Sequence, residues 1–323
     1  IIQQDQATYY VSTSGDDANT GLSSADAFAT INRAISNTCK GDTVILVDGT
    51  YFEDSIFVNS EIVIGSEYII DGDTNHIRNT IVDGSNSNFI FHYSYQQGGG
   101  NWADTTYSRI VGFTIQNGST SLGERAGAIS VKNERDLAIK NMRFLNNVSS
   151  SGGAVWTEDW SRVAILDSYF KGNEATSSDG GAVLFRDNSY VIMNNCTFVD
   201  NTALHSGGGV SMNGVRQLIQ FDGNTFIGNR SIQNNAGSLY IGLWNSQSEV
   251  TINDLVVKGN VSGFAPVYVR SSGGYWVTLN NALIVDNVSQ SVSALEVRDG
   301  TTKVALVNST IANNTATEYS SST

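Results

Sequence analysis

A repeat of about 28 residues is the feature that most restricts how this sequence can fold. Segments such as NMRFLNN, DSYFKGN and NCTFVDN each close on an asparagine. These are Asn147, Asn173, Asn201, Asn229, Asn260, Asn287 and Asn314, so successive copies lie 26 to 31 residues apart. Repeats of this length are typical of solenoids, because one unit cannot bury its apolar face alone and stacks on its copies.

Three columns of apolar residues accompany the repeat. The positions ten, eight and three residues before each asparagine are apolar in all seven copies. The last of these columns reads Phe144, Phe170, Phe198, Phe226, Val257, Ile284 and Ile311. Positions two apart share one face of a strand. The pattern predicts stacked short strands around an apolar interior; a β-sandwich with accidental periodicity is the alternative.

A fourth column predicts a sharp bend. Six positions before each asparagine stand Asn141, Asp167, Asn195, Gly223, Asp254, Asn281 and Asn308. Asn, Asp and Gly tolerate the left-handed backbone region. We therefore expect one left-handed residue to join two strands, with side chains that hydrogen-bond between coils.

A glycine-led segment completes each copy, as in GGAVWT (152–157) and GGAVLF (180–185). Each repeat thus predicts three short strands and three turns. The fold class predicted is all-β: a parallel β-helix with three-stranded coils of about 28 residues and an N-terminal capping helix.

The two ends suggest how the chain is organised. Residues 1–43 predict a strand, a turn and a capping helix at about Thr30 to Asn37, and residues 44–323 predict the coils. An insertion is expected around Tyr93–Tyr107. A solenoid needs its first coil covered. No capping pattern is visible at the other end, so we expect the stack to continue in a larger polypeptide.

Composition excludes several classes. The net charge is −13 with only 18 Lys and Arg residues, which argues against a nucleic-acid partner. No run approaches the ~18 apolar residues of a membrane helix. The N-terminus lacks signal-peptide features and is compatible with a mature, exported chain. Cys39 and Cys196 are expected to lie too many coils apart for a disulfide.

The chain resembles known β-helix proteins. Its opening, YYVSTSGDDANTG…FATINRAI…GDTVILVDGTY, is similar to the start of pectate-lyase-like proteins with a right-handed parallel β-helix. The F-x-x-N and G-G-A repeats resemble those of polymorphic outer-membrane proteins and bacterial adhesins. The resemblance implies a right-handed helix and a secreted or cell-surface location, but the fold hosts enzymes and binding proteins alike.

Catalytic motifs of the resembled enzymes are missing from the sequence. Asp16–Asp17 is the only D-D pair, and the N-T-D, G-H-G and R-I-K motifs of polygalacturonases are absent. The R-x-P-x-x-R pattern of pectate lyases is also absent, because Phe264 precedes Pro266 by two residues. These activities are therefore not carried over.

The outward face of the glycine-led strands is the candidate binding flank. The predicted substrate-binding residues are Trp156, Tyr240, Tyr268, Arg270 and Arg298. Aromatic rings stack on sugars, and arginine pairs with carboxylate or sulfate. Ordinary stacking between coils is the alternative. If the protein were a lyase, Lys132, Glu158 and Arg186 would be its catalytic set, with Lys or Arg as the base.

No cofactor is required by this interpretation, but calcium has one candidate site. Asp71, Asp73 and Asn75 alternate oxygen ligands, as calcium loops do, although metal-free turns share this composition. We therefore expect a non-catalytic adhesin, passenger or stalk that binds extracellular polysaccharide or a cell surface. A lyase for acidic glycans and an exported cargo or spacer are the alternatives.

Overall fold

The protein is a β-solenoid with a wall of four parallel sheets. The structure, a computed structural model, describes residues 6–93, 108–120, 126–132, 136–187, 189–233, 236–243, 249–271, 276–292, 294–298 and 303–317. Over these residues the sheets, named I to IV in the order in which a coil visits them, contain 11, 10, 8 and 9 strands. The predicted parallel β-helix is confirmed.

Sheets I and II hold the strands on either side of the predicted bend. The strands of sheet I are Thr8–Val11, Thr43–Leu46, Val63–Ser66, Ser108–Val111, Asp136–Lys140, Arg162–Leu166, Tyr190–Asn194, Gln217–Asp222, Glu249–Asn253, Trp276–Asn280 and Lys303–Val307. Those of sheet II are Gly49–Tyr51, Thr80–Asp83, Thr114–Gln116, Arg143–Leu145, Tyr169–Lys171, Thr197–Val199, Thr225–Ile227, Val256–Lys258, Leu283–Val285 and Thr310–Ala312.

Sheets III and IV complete each coil. The strands of sheet III are Ser119–Thr120, Val148–Ser149, Glu174–Ala175, Thr202–Ala203, Arg230–Ser231, Val261–Ser262, Val288–Ser289 and Thr315–Ala316. Those of sheet IV are Ile56–Val58, Phe91–Tyr93, Ile129–Val131, Val155–Thr157, Val183–Arg186, Val210–Val215, Leu239–Leu243, Val267–Ser271 and Leu295–Arg298. The prediction of three strands per coil omitted sheet III, whose two-residue strands are too short to show a period.

The apolar columns form the core. Phe144, Phe170 and Phe198 are fully buried, and they stack with Phe226 at ring-centroid distances of 4.6, 4.8 and 4.8 Å. These distances match the ~4.8 Å between paired strands, because residues of one column occupy the same place on successive coils.

The repeat asparagines are themselves buried. In the middle coils the Asn201 side chain accepts a hydrogen bond from the backbone N–H of Asn173 at 2.9 Å. Its amide donates to the carbonyl of Phe170 at 3.1 Å and to Oδ1 of Asn229 at 2.9 Å. One side chain thus satisfies groups on two neighbouring coils.

The predicted left-handed bends are present. The column from Asn141 to Asn308 has positive φ throughout, for example 53° at Asn141 and 55° at Asn195. A second left-handed column, which was not predicted, directly precedes the buried asparagines, as at Asn146 and Asp200. These two columns turn the chain into sheet II and out of it.

A helix covers the first coil where the sequence predicts one. Helix α1 spans Ile31–Asn37, and the Thr30 side chain caps it by accepting the Arg33 N–H. The Glu53 carboxylate accepts the Ile31 N–H at 2.7 Å. The helix buries Ile31 and Ala34 completely. Two one-turn helices follow, α2 at Tyr68–Asp71 and α3 at His76–Asn79, and Ser24–Asp26 forms a 3-10 turn.

The two cysteines form no disulfide, as predicted. Cys196 is buried and Cys39 is exposed, and burial raises the pKa of Cys196 to about 12. Most of the insertion expected at Tyr93–Tyr107 lies outside the described residues. Among the helices that the structure describes, none is long and apolar enough to span a bilayer.

Candidate functional site

The outer corner between sheets I and II carries an insertion that forms the candidate site. Residues 67–79 stand between strands Val63–Ser66 and Thr80–Asp83. In later coils the same corner holds only two residues, such as 141–142. The insertion contains α2 and α3. Gly72, which has a left-handed backbone with a φ of 76°, ends α2 and begins the link to α3.

Close packing holds the insertion against the next coil. The Tyr68 ring lies over Gly112, where an added Cβ would come within 2.6 Å of Cδ1 of the ring. The Thr114 hydroxyl donates to the Ile77 carbonyl at 2.7 Å. Because Gly112 has a φ of 78°, only glycine satisfies both the left-handed corner and the contact. The insertion is thereby seated on the solenoid.

A groove of about 560 Å³ opens between the insertion and two later coils. It is lined by Thr74, Asn75, Ile77, Arg78, Asn141, Met142, Arg143, Asp167 and Tyr169. The first four come from the insertion and the rest from the corner residues and first sheet II residues of two coils. The volume is within the range of small-molecule sites.

Two arginines dominate the chemistry of the groove. The Arg143 guanidinium lies 5.7 Å from the centroid of the Tyr169 ring. Burial lowers the pKa of Arg143, and the like charge of Arg78 lowers it further. Within the described ranges, neither arginine makes an ion pair. The nearby Asp167 carboxylate accepts instead from the Asn195 amide at 3.2 Å. An anion in the groove would reduce the repulsion between the two cations.

A cluster of one histidine and three carboxylates lies at the same corner, and α3 contributes to both sites. His76 Nδ1 lies 2.7 Å from Oδ1 of Asp48 and 3.9 Å from Oε2 of Glu67. His76 Nε2 lies 3.2 Å from Oδ2 of Asp71. Hydrogen bonds to Asp48 and then to Asp71 raise the pKa of His76. The sequence pattern does not indicate His76 as a site residue, because its partners are distant in the chain.

The binding flank on sheet IV differs from expectation in its exposure. The register aligns Trp156 with Leu184, and Tyr240 with Tyr268, as predicted. However, Trp156 is 0% exposed and Tyr268 only 5%, so neither ring presents an open face to solvent, and a binding role for them stays a prediction. Trp156 packs with Ala126 and Leu184, and Gly152 approaches it closely, since an added Cβ there would lie 3.0 Å from the Trp156 Cβ.

The remaining flank residues contact one another. The Tyr240 and Tyr268 rings stack at 5.4 Å. Arg298 lies over the Tyr268 ring at 5.9 Å and pairs with Glu296 at 2.7 Å. Arg270 is exposed. Their proposed role in substrate binding stays a prediction, and much of it has an alternative explanation in stacking between coils.

The three residues suggested for a lyase lie beside one another at the end of sheet IV. Lys132 Nζ is 3.6 Å from Oε2 of Glu158 and 4.9 Å from the centroid of the Trp156 ring. Arg186 lies 3.8 Å from the Asp187 carboxylate. Burial raises the pKa of Glu158. The three residues thus take part in two neighbouring ion pairs, and their catalytic role stays a prediction.

The residues suggested for calcium form turns. Oδ1 of Asp71 accepts the Asp73 N–H at 2.8 Å, and Oδ1 of Asp73 accepts the Asn75 N–H at 2.9 Å. These are Asx turns, and all three side chains are exposed. Oδ2 of Asp71 contacts His76. Calcium binding at these residues stays a prediction.

Comparison with known proteins assigns the family. A family model described as a right-handed β-helix region matches residues 104–287, which is more than half of the chain. The protein therefore belongs to the right-handed β-helix family. A search among curated proteins gives no match.

Three solved structures are remotely similar to this chain. A pectin methylesterase in complex with a hexasaccharide is 10% identical, with 98% of this chain and 94% of that chain covered and a TM-score of 0.42. A rhamnogalacturonan lyase is 13% identical, with 95% of this chain and 87% of that chain covered and a TM-score of 0.41. A pectate lyase is 14% identical, with 96% of this chain and 79% of that chain covered and a TM-score of 0.37. The family assignment rests on the sequence match.

Proposed function

We propose that the protein is an extracellular, non-catalytic β-helix protein that binds an acidic polysaccharide in the groove beside α3. The observation that carries this proposal is the pair Arg78 and Arg143. In a chain of net charge −13, both line one groove, and neither has an ion-pair partner in the part of the chain that is described.

The chemistry of the groove suits a sugar acid. A guanidinium binds carboxylate or sulfate through two parallel hydrogen bonds. The Tyr169 ring offers an apolar face for a sugar ring, and the hydroxyl and amide groups of Thr74 and Asn75 suit sugar hydroxyls. Acidic polysaccharides occur mainly outside cells, and the repeats resemble those of adhesins. Both points support a role as a secreted or surface-bound adhesin or stalk.

Titration calorimetry against a glycan panel tests the proposal. Galacturonate, alginate and sulfated glycosaminoglycan oligosaccharides are compared with neutral cello-oligosaccharides. We expect at least one acidic class to bind, more weakly as salt increases, and Arg143→Gln to lower its affinity at least tenfold. Lys258→Gln removes the same charge from an exposed sheet II position and should change little.

Each other outcome has a defined meaning. Equal binding of neutral glycans, or unchanged affinity in Arg143→Gln, contradicts the proposal. A loss confined to Arg298→Gln would instead place binding on the sheet IV flank. Silence on the whole panel contradicts the proposal and favours an exported cargo or spacer.

A polysaccharide lyase is the second candidate, favoured by the position of Arg143 in the groove beside Arg78 and over the Tyr169 ring. In a lyase one guanidinium would hold the uronate carboxylate while the other removed the neighbouring proton as general base. Absorbance of unsaturated products from pectate, alginate and glycosaminoglycans, with and without calcium, decides this. If the protein forms product and Arg143→Lys abolishes it, the result supports a lyase at the groove. If Lys132→Gln abolishes product formation instead, the result supports a lyase on sheet IV.

A further inference from the structure

We infer that Asp48, Glu67 and His76 form a binding site for a divalent transition metal, with Zn²⁺ as the ion that best suits them. One donor atom from each residue lies within 4.8 Å of the others. The site shares no residue with the groove and does not depend on the ligand proposed there.

The donors come from three separate segments that the fold brings together. Asp48 lies at the sheet I–II corner of the first coil, Glu67 begins the insertion, and His76 begins α3. A bound ion would therefore fasten the insertion to the first coil. Each of the three side chains is partly exposed, so an ion can enter from solvent.

The distances need only small adjustments. Zn²⁺ binds His nitrogen and carboxylate oxygen at about 2.0–2.2 Å, so tetrahedral donors lie about 3.4 Å apart. His76 Nδ1 lies 2.7 Å from the Asp48 oxygen and 3.9 Å from the Glu67 oxygen. Side-chain rotations that change these distances by about 0.7 and 0.5 Å bring both to the required separation and leave the fourth position to water.

An outer carboxylate and neighbouring donors orient the ligands. His76 Nε2 faces Oδ2 of Asp71 at 3.2 Å, which directs Nδ1 toward Asp48 and Glu67. Metal-binding histidines usually donate their second ring N–H to such a partner. The Thr80 hydroxyl also fixes Asp48, donating to Oδ1 at 2.9 Å.

The donor set also discriminates between ions. Calcium takes six to eight oxygen ligands, whereas one imidazole and two carboxylates fit zinc and related ions. This site differs from the calcium loop expected at Asp71, Asp73 and Asn75. Of these three residues only Asp71 touches the zinc site, and its contact is with Nε2 of His76 and not with the ion.

Zinc calorimetry on the full chain tests the inference. All proteins carry Cys39→Ser, so that the exposed thiol does not compete for zinc. We expect one Zn²⁺ per chain, and at least a tenfold loss of affinity in His76→Gln and in Glu67→Gln. Glu67 makes no side-chain hydrogen bond that the described structure shows, so its variant should keep the fold, which circular dichroism verifies. Asp73→Asn, in the same insertion but outside the cluster, is the matched control.

Thermal melting gives a second readout. Zinc should raise the melting temperature of the parent and of Asp73→Asn, but not that of Glu67→Gln. The inference is overturned if the parent binds no zinc, if Glu67→Gln and His76→Gln bind it unchanged, or if calcium binds equally tightly.

Discussion

At the scale of single residues, the buried asparagines show how a polar side chain can be part of a core. Asn201 is completely buried, yet its amide and carbonyl groups are both hydrogen-bonded to neighbouring coils. An apolar residue of similar size would leave the backbone groups of the turn without partners. Asparagine is therefore required at this position by hydrogen bonding, and its recurrence along the sequence has a structural cause.

Asn201→Ala should destabilise the protein strongly. The change removes the acceptor of both the backbone N–H and the side-chain amide of Asn173, and each buried unpaired group costs about 1–3 kcal/mol. We expect the free energy of unfolding in urea to fall by about 2 kcal/mol or more. Asn195→Gly, which keeps the left-handed bend of the same coil, should cost less than about 1 kcal/mol. Equal losses would contradict this account.

Glu158 should make stability depend on pH. Burial raises its pKa from the usual 4.5, so the folded protein holds this proton more tightly than the unfolded chain does. Ionisation therefore reduces the free energy of unfolding as pH rises from about 4.5 through the higher folded pKa. Glu158→Gln should be more stable than wild type at neutral pH, and the difference should vanish in acid. Urea unfolding across this pH range measures it; a variant less stable at neutral pH contradicts it.

At the scale of elements, the sequence predicted the strands and bends that the residues of one repeat determine. It missed the features that depend on contacts between distant segments. The alternation around Phe144 and the Asn141 bend are readable within one repeat. Trp156 lies on the side of its strand that the sequence predicts, but its burial against Ala126 and Leu184 of neighbouring coils is a tertiary effect. The groove was missed because Arg78 and Arg143 meet only through the fold. The interrupted repeat over residues 67–79 was the available signal.

Replacing the insertion tests its role as an element. We expect a variant with residues 67–79 exchanged for the Asp-Ser link of residues 167–168 to keep its β-sheet circular dichroism, because other coils close this corner with two residues. Binding of the acidic glycan should fall at least tenfold, since the insertion forms one wall of the groove. Calorimetry measures this. Unchanged affinity would show that the insertion is not part of the site.

At the scale of the whole molecule, stability is distributed over similar coils. Successive coils pair in parallel, and all four sheets take part from Ser119 onward, so a solenoid approximates a sum of units and interfaces. Nothing in the stacking itself depends on the total number of coils. The groove and the histidine cluster lie before residue 170 and should be unaffected by changes farther along.

Deleting one complete coil should leave a folded protein. Removal of residues 174–201 joins Asn173 to Thr202 at equivalent positions of the repeat. We expect a cooperative but lower thermal transition, a particle shorter by about 4.8 Å in small-angle scattering, and unchanged glycan binding. Deletion of residues 174–187 joins unlike parts of a coil and should prevent folding. Similar behaviour of the two deletions would contradict modular stacking.

The column of buried asparagines also has a mechanical consequence. Its side-chain bonds, like those of the strands, run from coil to coil and therefore along the solenoid axis. A force applied along this axis pulls each bond directly and opens the stack one coil at a time, whereas a transverse force loads many bonds in shear. At about 3.4 Å per residue, each released coil of about 28 residues adds roughly 95 Å of slack. A molecule held at both ends would thus lengthen in steps of similar size, one for each coil that unfolds.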